Sequence, residues 1–305
     1  MKKFLFKLLL ILSLIISIDL IMGQILEPLI FKAKSGTIFN SLYGIRDCHE
    51  EILIMGDSEV KHGIISSLIE DTLGLSCYNL GLDGNSIYYQ YAVLKEILGR
   101  YIPKVIVISN SIARENESTL TSLFPFYKKY RHIKETILEV APDEKYKLLS
   151  NAYIYNSLIF KIIQGLTSSE PETNGYRPLY SGQHNISFEV NNETREFSIS
   201  TSERSLKYFE DFIVLALSSG CKVVVINPPK YWYNSKHDQA SAVNEIISRN
   251  KVIYFDYEND TTFVYHPDLF YDGEHLNHKG AGIFTSRLIT DLKDEINLVQ
   301  GKSSE

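Results

Sequence analysis

Ser58, Asp272 and His275 are the residue types that, once gathered, make a weakly nucleophilic hydroxyl reactive. Ser58 stands in Gly56-Asp57-Ser58, straight after the apolar run Ile52-Leu53-Ile54-Met55. A serine just past a short buried strand lies where parallel α/β sheets expose their reactive groups. More than two hundred residues later, Asp272-Gly-Glu-His275 puts a carboxylate and an imidazole three residues apart, within reach of one point in space. An imidazole with a pKa of about 6.5 can take the hydroxyl proton near neutral pH. The carboxylate can fix the ring's tautomer and stabilise the imidazolium as it forms. Gly-Asp-Ser by itself also fits an ordinary strand-to-loop turn, so the assignment depends on the pieces between.

Two such pieces follow. Tyr78-Asn79-Leu80-Gly81-Leu82-Asp83-Gly84-Asn85-Ser86 is punctuated by glycine, and the strand-like Val105–Ile108 run ends at Ser109-Asn110-Ser111. With them the chain resembles the SGNH (GDSL-like) hydrolase superfamily over roughly residues 51 to 293. Ser58 matches the first-block nucleophile, and Gly84, five residues after Asn79, matches the second-block glycine. Asn110 matches the third-block asparagine, and Asp272 with His275 the last block, trailed by Leu276-Asn277-His278-Lys279-Gly280-Ala281. The resemblance implies a Ser58–His275–Asp272 triad. It also implies an oxyanion hole made of the Ser58 and Gly84 backbone N–H groups and the Asn110 side-chain amide. The third block lacks its leading glycine and its trailing aspartate, which puts the loop geometry in question more than the amide donor. Membrane-anchored members that modify cell-surface polymers often have a loose third block.

Other chemistries have weaker support. His266, Asp268, Asp272, His275 and His278 are types that zinc accepts. No paired histidines on a long helix and no cysteine pair accompany them, so no metal and no cofactor is expected. Cys48, Cys77 and Cys221 are odd in number and show no metal spacing. Cys77 and Cys221 read as small buried hydrophobes. Tyr231-Trp232-Tyr233 follows a strand and could line a cleft for sugar stacking or form a packed loop.

The chain has 305 residues, 44% of them hydrophobic, enough for one large α/β domain. A net charge of -6 with no basic patch argues against nucleic-acid binding. At the N-terminus, Lys2 and Lys3 precede an apolar stretch from Phe4 to Met22, broken by Lys7 and Asp19. As a helix that stretch is roughly 28 Å long, close to the thickness of a bilayer core. The positive flank predicts a cytoplasmic N-terminus and an exported remainder. A cleaved signal peptide is the rival, but Ile21-Met22-Gly23 is a poor cleavage site.

The elements that position the chemistry alternate between strands and helices, which predicts a three-layer α/β/α sandwich with a mostly parallel, flavodoxin-like sheet. The division expected is an anchor over 1–25, a weakly structured juxtamembrane spacer over 26–50, and an α/β domain over 51–300. Strands are expected at 52–55, 77–80, 105–108, 222–226 and 252–256. Helices are expected at 63–73, 86–98, 202–218, 239–249 and 281–294. An insertion over about 116–200 interrupts the rhythm, helical from 122 to 160 and then rich in turns. It reads as a cap over the acceptor site.

The expected function is that of an extracytoplasmic serine enzyme at the cytoplasmic membrane, acting on an acyl ester or a glycan. With water as acceptor it is an acetyl esterase; with a sugar hydroxyl it is an O-acetyltransferase for a surface polysaccharide or peptidoglycan. The transferase reading implies a membrane acyltransferase partner that supplies acetyl groups. The competing reading is a non-catalytic carbohydrate-binding or scaffold protein on the same fold.

Overall fold

The computed structural model describes residues 1–167, 173–180, 201–231, 240–264 and 266–302, with the side chains of 240–241 and 296–302 excepted. The helices are α1 (Lys2–Ile30), α2 (Gly36–Leu42), α3 (Ser58–Gly63), α4 (Ser66–Leu73), α5 (Ile87–Leu98), α6 (Arg131–Val140), α7 (Glu144–Lys147), α8 (Asn151–Asn156), α9 (Ile159–Thr167), α10 (Glu203–Ser218), α11 (Ala240–Arg249) and α12 (His278–Lys302). The strands are β1 (Ile52–Met55), β2 (Cys77–Asn79), β3 (Val105–Ser109), β4 (Lys222–Asn227) and β5 (Ile253–Asp256).

All strand pairs are parallel, in the order β2-β1-β3-β4-β5. Because successive side chains alternate between faces, a strand buried on both sides is apolar throughout. Leu53 and Met55 of β1 enter one hydrophobic core, with α5, α10 and α11; Ile52 and Ile54 enter the other, with α4 and α12. This is the expected three-layer α/β/α sandwich. The order also places a switch point between β1 and β3, the crevice where ligands bind in such sheets. Ser58 follows one of these strands and Asn110 the other.

Three expectations need correction. The segment read as a weakly structured spacer over 26–50 is largely helical: α1 runs to Ile30, α2 follows, and a π-helical turn spans Tyr43–Asp47. Ile38, Leu42, Ile45 and Cys48 are buried in the larger core. Their spacing of three to four residues is a helical stripe, but the run is too short and interrupted to stand out in the sequence. The helix expected over 63–73 begins only at Ser66, as α4; Gly63 instead ends α3, a separate short helix that opens at Ser58.

The helical stretch expected over 122–160 is broken into a 3-10 segment (Glu117–Phe126) and helices α6 to α9. Leu120, Leu123, Phe126, Ile133 and Ile137 of that stretch are fully buried in the same core as β1 and α5. This half of the insertion therefore packs into the core of the α/β domain. Residues 173–180 return to the sheet edge, where the Asn79 N–H donates to the Asn174 carbonyl at 2.9 Å. Asn174 and Gly175 both have positive φ, 49° and 82°, as a tight two-residue turn demands. A Cβ at Gly175 would also lie 2.0 Å from the Asn79 carbonyl. Residues 181–192 of the expected loop lie outside the described residues.

Candidate active site

Ser58 is the first residue of α3, and the preceding Asp57 caps that helix by accepting from the Glu59 N–H at 3.1 Å. The cap forces a sharp strand-to-helix turn, which lifts the Ser58 hydroxyl out of the sheet. The His275 Nε2 lies 2.8 Å from the Ser58 Oγ. Its Nδ1 lies 2.9 Å from both carboxylate oxygens of Asp272. The Asp272–His275 turn is closed on itself: Asp272 Oδ1 also accepts from the Glu274 and His275 backbone N–H groups at 2.9 and 2.8 Å. Asn277 braces the turn from behind, donating to the Asp268 and Phe270 carbonyls at 2.8 and 3.2 Å. The structure thus brings Ser58 into one hydrogen-bonded line with Asp272 and His275, more than two hundred positions away.

The electrostatics favour charge separation along that line. Burial opposes ionisation of Asp272, but the His275 hydrogen bond and the backbone donors hold its carboxyl down at about 2. Burial also opposes the charged form of His275, yet the Asp272 hydrogen bond and charge, with Glu59 and Glu274 nearby, raise it above its ordinary value. An imidazolium formed by proton transfer from Ser58 would therefore be stabilised where it forms.

Gly84 and Asn110 lie in the loops after β2 and β3, the strands on either side of β1. Gly84 has φ 67°, is exposed, and a Cβ there would meet nothing within 4 Å. The left-handed backbone is what calls for glycine, and open space remains above it. Its loop is tied down by neighbours: His62 bridges the Arg177 carbonyl at 2.8 Å and the Asp83 carboxylate at 3.0 Å. Burial works against ionised Asp83, but His62 and Lys61 hold its carboxyl far below the ordinary range. Asn110 opens the 3-10 turn after β3 and is 5% exposed, with its Oδ1 lacking a hydrogen-bond partner among the described residues.

The altered third block has a local explanation. Ser111, where the aspartate was expected, donates through its hydroxyl to Asp57 Oδ2 at 2.8 Å, and Arg114 pairs with the same oxygen. The β1 and β3 loops are thereby tied together beneath Ser58. A carboxylate at 111 would face that of Asp57.

Asp57, Ser111 and Arg114 were not singled out from sequence, and neither was the buried ion pair of Glu59 with Lys230. Burial pushes the Glu59 carboxyl up against the pull of Lys230. Burial alone would lower Lys230, but Glu59 keeps it above the ordinary lysine range. The pairing of carboxylate with ammonium offsets the cost of burying either group alone. The partners stand 171 positions apart, and nothing local in the sequence signals the pair. Asp57 alone could have been found, as an N-cap residue ahead of a helix.

The other candidates disperse. His278 Nδ1 lies 2.9 Å from the Tyr176 hydroxyl, and Asp268 pairs with Lys279 at 2.6 Å. Among the described residues no group of three His, Cys, Asp or Glu side chains gathers as a metal site. Cys48, Cys77 and Cys221 are buried free thiols, each pushed up by burial. Tyr231 packs edge-on to Phe270 with ring centroids 5.7 Å apart; Trp232 and Tyr233 lie outside the described residues.

No protein-family model and no curated protein matches the chain. Among solved structures it is similar to a psychrotrophic esterase from Pseudoalteromonas sp., at 11% identity over 81% of this chain and 98% of the other, with a TM-score of 0.44. It is similar to a GDSL-like lipase from Bacteroides thetaiotaomicron, at 12% identity over 79% and 88% of the two chains, with a TM-score of 0.37. An acetyl xylan esterase is 12% identical over 79% and 98%, with a TM-score of 0.40.

Proposed function

We propose that this chain is a serine-dependent acyl-ester enzyme of the SGNH type, anchored in the cytoplasmic membrane with its α/β domain outside. The observation that carries the reading is the hydrogen-bonded line Ser58–His275–Asp272 at the switch point of a parallel sheet. In this mechanism Ser58 Oγ attacks the ester carbonyl while His275 Nε2 takes its proton. The C–O bond of the leaving alkoxide then breaks, and His275 returns the proton to it. A second hydroxyl, from water or a sugar, repeats the sequence in reverse and releases the acyl group from Ser58. The oxyanion of each tetrahedral intermediate would be held by the Ser58 and Gly84 N–H groups and the Asn110 amide.

Acetyl on a cell-surface polysaccharide or peptidoglycan is the proposed substrate, with a membrane acyltransferase as the acetyl source in the transferase case. The apolar helix α1, of mean hydropathy 2.5 in its membrane-length window and none of that window buried, supports the membrane location. Retention of α1 is supported by Asp19, which accepts from the Ser150 hydroxyl at 2.7 Å and the Ala152 N–H at 2.8 Å. Cleavage near Gly23 would strip those groups of their partner.

The test is to incubate the protein with an activated acetyl ester, with and without candidate glycans, and identify products by mass spectrometry. Free acetate alone marks an esterase, and an acetylated glycan marks a transferase. A scaffold protein would give neither, and its Ser58 would resist a serine-reactive phosphonate.

A further inference from the structure

We propose that the α/β domain is seated in the membrane surface, with Leu149 on the α7–α8 turn and Phe160 on α9 immersed at the boundary of the same bilayer that α1 crosses. The inference rests on the anchor reading of α1 and goes beyond it by assigning a lipid-contacting face to the domain.

Helix α1 does not leave the membrane on a free linker. Along one side it is locked to the domain. Asp19 receives the Ser150 hydroxyl and the Asn151 and Ala152 backbone N–H groups at 2.7, 3.0 and 2.8 Å. Gly23 meets Asn151 so closely that a Cβ would lie 2.6 Å from its side chain. Glu27 pairs with Lys129 at 2.9 Å. The opposite side of α1 stays apolar and open beyond the lock: Leu20, Ile21 and Ile25 are 55%, 53% and 58% exposed.

The length of the span then decides how deep the domain sits. From Phe4 to the residue before Asp19 the helix rises only about 22 Å at 1.5 Å per residue. A hydrocarbon core of about 30 Å takes about 20 residues. Counted from Phe4, that reaches Gly23; counted from beyond Lys7, it reaches Glu27. The bilayer therefore extends past the level where Ser150 and Asn151 grip the helix.

Beside this lock and on the neighbouring α9 the domain exposes large apolar side chains. Leu149, next to Ser150, is 76% exposed, and Tyr146 on α7 is 71% exposed, flanked by Lys145 and Lys147. On α9, which packs against α1, Phe160 is 84% and Ile163 51% exposed, with the exposed Lys161 between them. Aromatic and lysine side chains around an apolar tip suit the headgroup boundary, where a long lysine can keep its charge in water. In water these side chains would be an unexplained apolar patch.

The test uses the full-length chain in phosphatidylcholine vesicles, with its single tryptophan replaced by Trp232→Phe. Tryptophan is then placed at one position at a time, Leu149→Trp or Phe160→Trp, with Ile11→Trp as the marker of the span. Ile283→Trp on α12, in the opposite layer, marks the far side. Quenching is read with lipid brominated high on its acyl chains. The expected result is loss of emission for Leu149→Trp, Phe160→Trp and Ile11→Trp, with Ile283→Trp unaffected. A quenched Ile11→Trp with Leu149→Trp or Phe160→Trp as bright as Ile283→Trp overturns the seat and leaves the anchor standing. An unquenched Ile11→Trp overturns the anchor and the seat with it. Equal quenching at all four positions means nonspecific adsorption and also overturns the seat.

Discussion

Ser111 donates its hydroxyl to Asp57 at 2.8 Å, tying the loop after β3 to the loop after β1 one residue before Ser58. Asp57 is fully buried, and its carboxylate accepts from the Ser111 hydroxyl, the Arg114 guanidinium and the Glu59 N–H. The pose of Ser58 thus depends on a carboxylate that does no chemistry itself.

From this arrangement, Ser111→Asp should be worse than Ser111→Ala. The alanine variant loses one charge-assisted hydrogen bond, about 1.5–3 kcal/mol. The aspartate variant adds repulsion between two buried carboxylates competing for Arg114. Denaturant unfolding should rank wild type above Ser111→Ala above Ser111→Asp, with ester turnover falling in the same order. An aspartate variant as stable as wild type would mean that Ser111 does not face an ionised Asp57.

Ser58→Ala and His275→Ala should each abolish turnover of p-nitrophenyl acetate while leaving the circular dichroism unchanged. The three side chains form one line, so the double variant should be little worse than either single one. Near-wild-type turnover in folded Ser58→Ala would remove Ser58 as the nucleophile.

How much of this was legible beforehand follows from the range of each signal. The strands were read because they are apolar on both faces, which is a local property. Ser58 and His275 were read because each stands in a short motif at an element boundary, and the line joining them needed only the parallel sheet. The grip of Asp19 on Ser150 spans 131 residues and left no local trace. The same holds for Lys230, whose partner Glu59 lies in a different strand-to-helix turn. The supposed spacer was misread for another reason: Ile38, Leu42 and Ile45 form a stripe shorter than the window in which helical periodicity becomes visible.

The acid limb of the pH profile should lie above that of an ordinary imidazole, because His275 must be neutral to accept the Ser58 proton. Burial lowers its pKa, but Asp272, Glu59 and Glu274 together raise it. Activity is then lost as pH falls through this raised value. Removing a nearby negative charge stabilises the imidazolium less, so Glu59→Gln should move the acid limb of kcat/KM to lower pH. Glu274→Gln should move it in the same direction and does not leave Lys230 buried without a partner. A shift to higher pH in Glu274→Gln would reverse the sign assigned to these charges.

Asn110 carries the most specific prediction about the oxyanion. It sits 5% exposed at the end of β3, beside the strand that delivers Ser58, with Met55 and Ile108 in register. If its amide meets the developing oxyanion, the bond forms mainly in the transition state, so binding of the ground-state ester changes little. Asn110→Ala should then lower kcat with KM nearly unchanged, by about 2.7–4 kcal/mol of barrier, the loss typical of one such donor. Single-turnover acylation of Ser58 should slow by the same factor, since the first tetrahedral intermediate precedes the acyl-enzyme. Asn110→Asp separates this role from a packing role: it keeps the shape but replaces the donor with an anion, and should be at least as slow as the alanine. Acylation at the wild-type rate in Asn110→Ala would reduce Asn110 to a turn residue and leave the oxyanion to the Ser58 and Gly84 backbone.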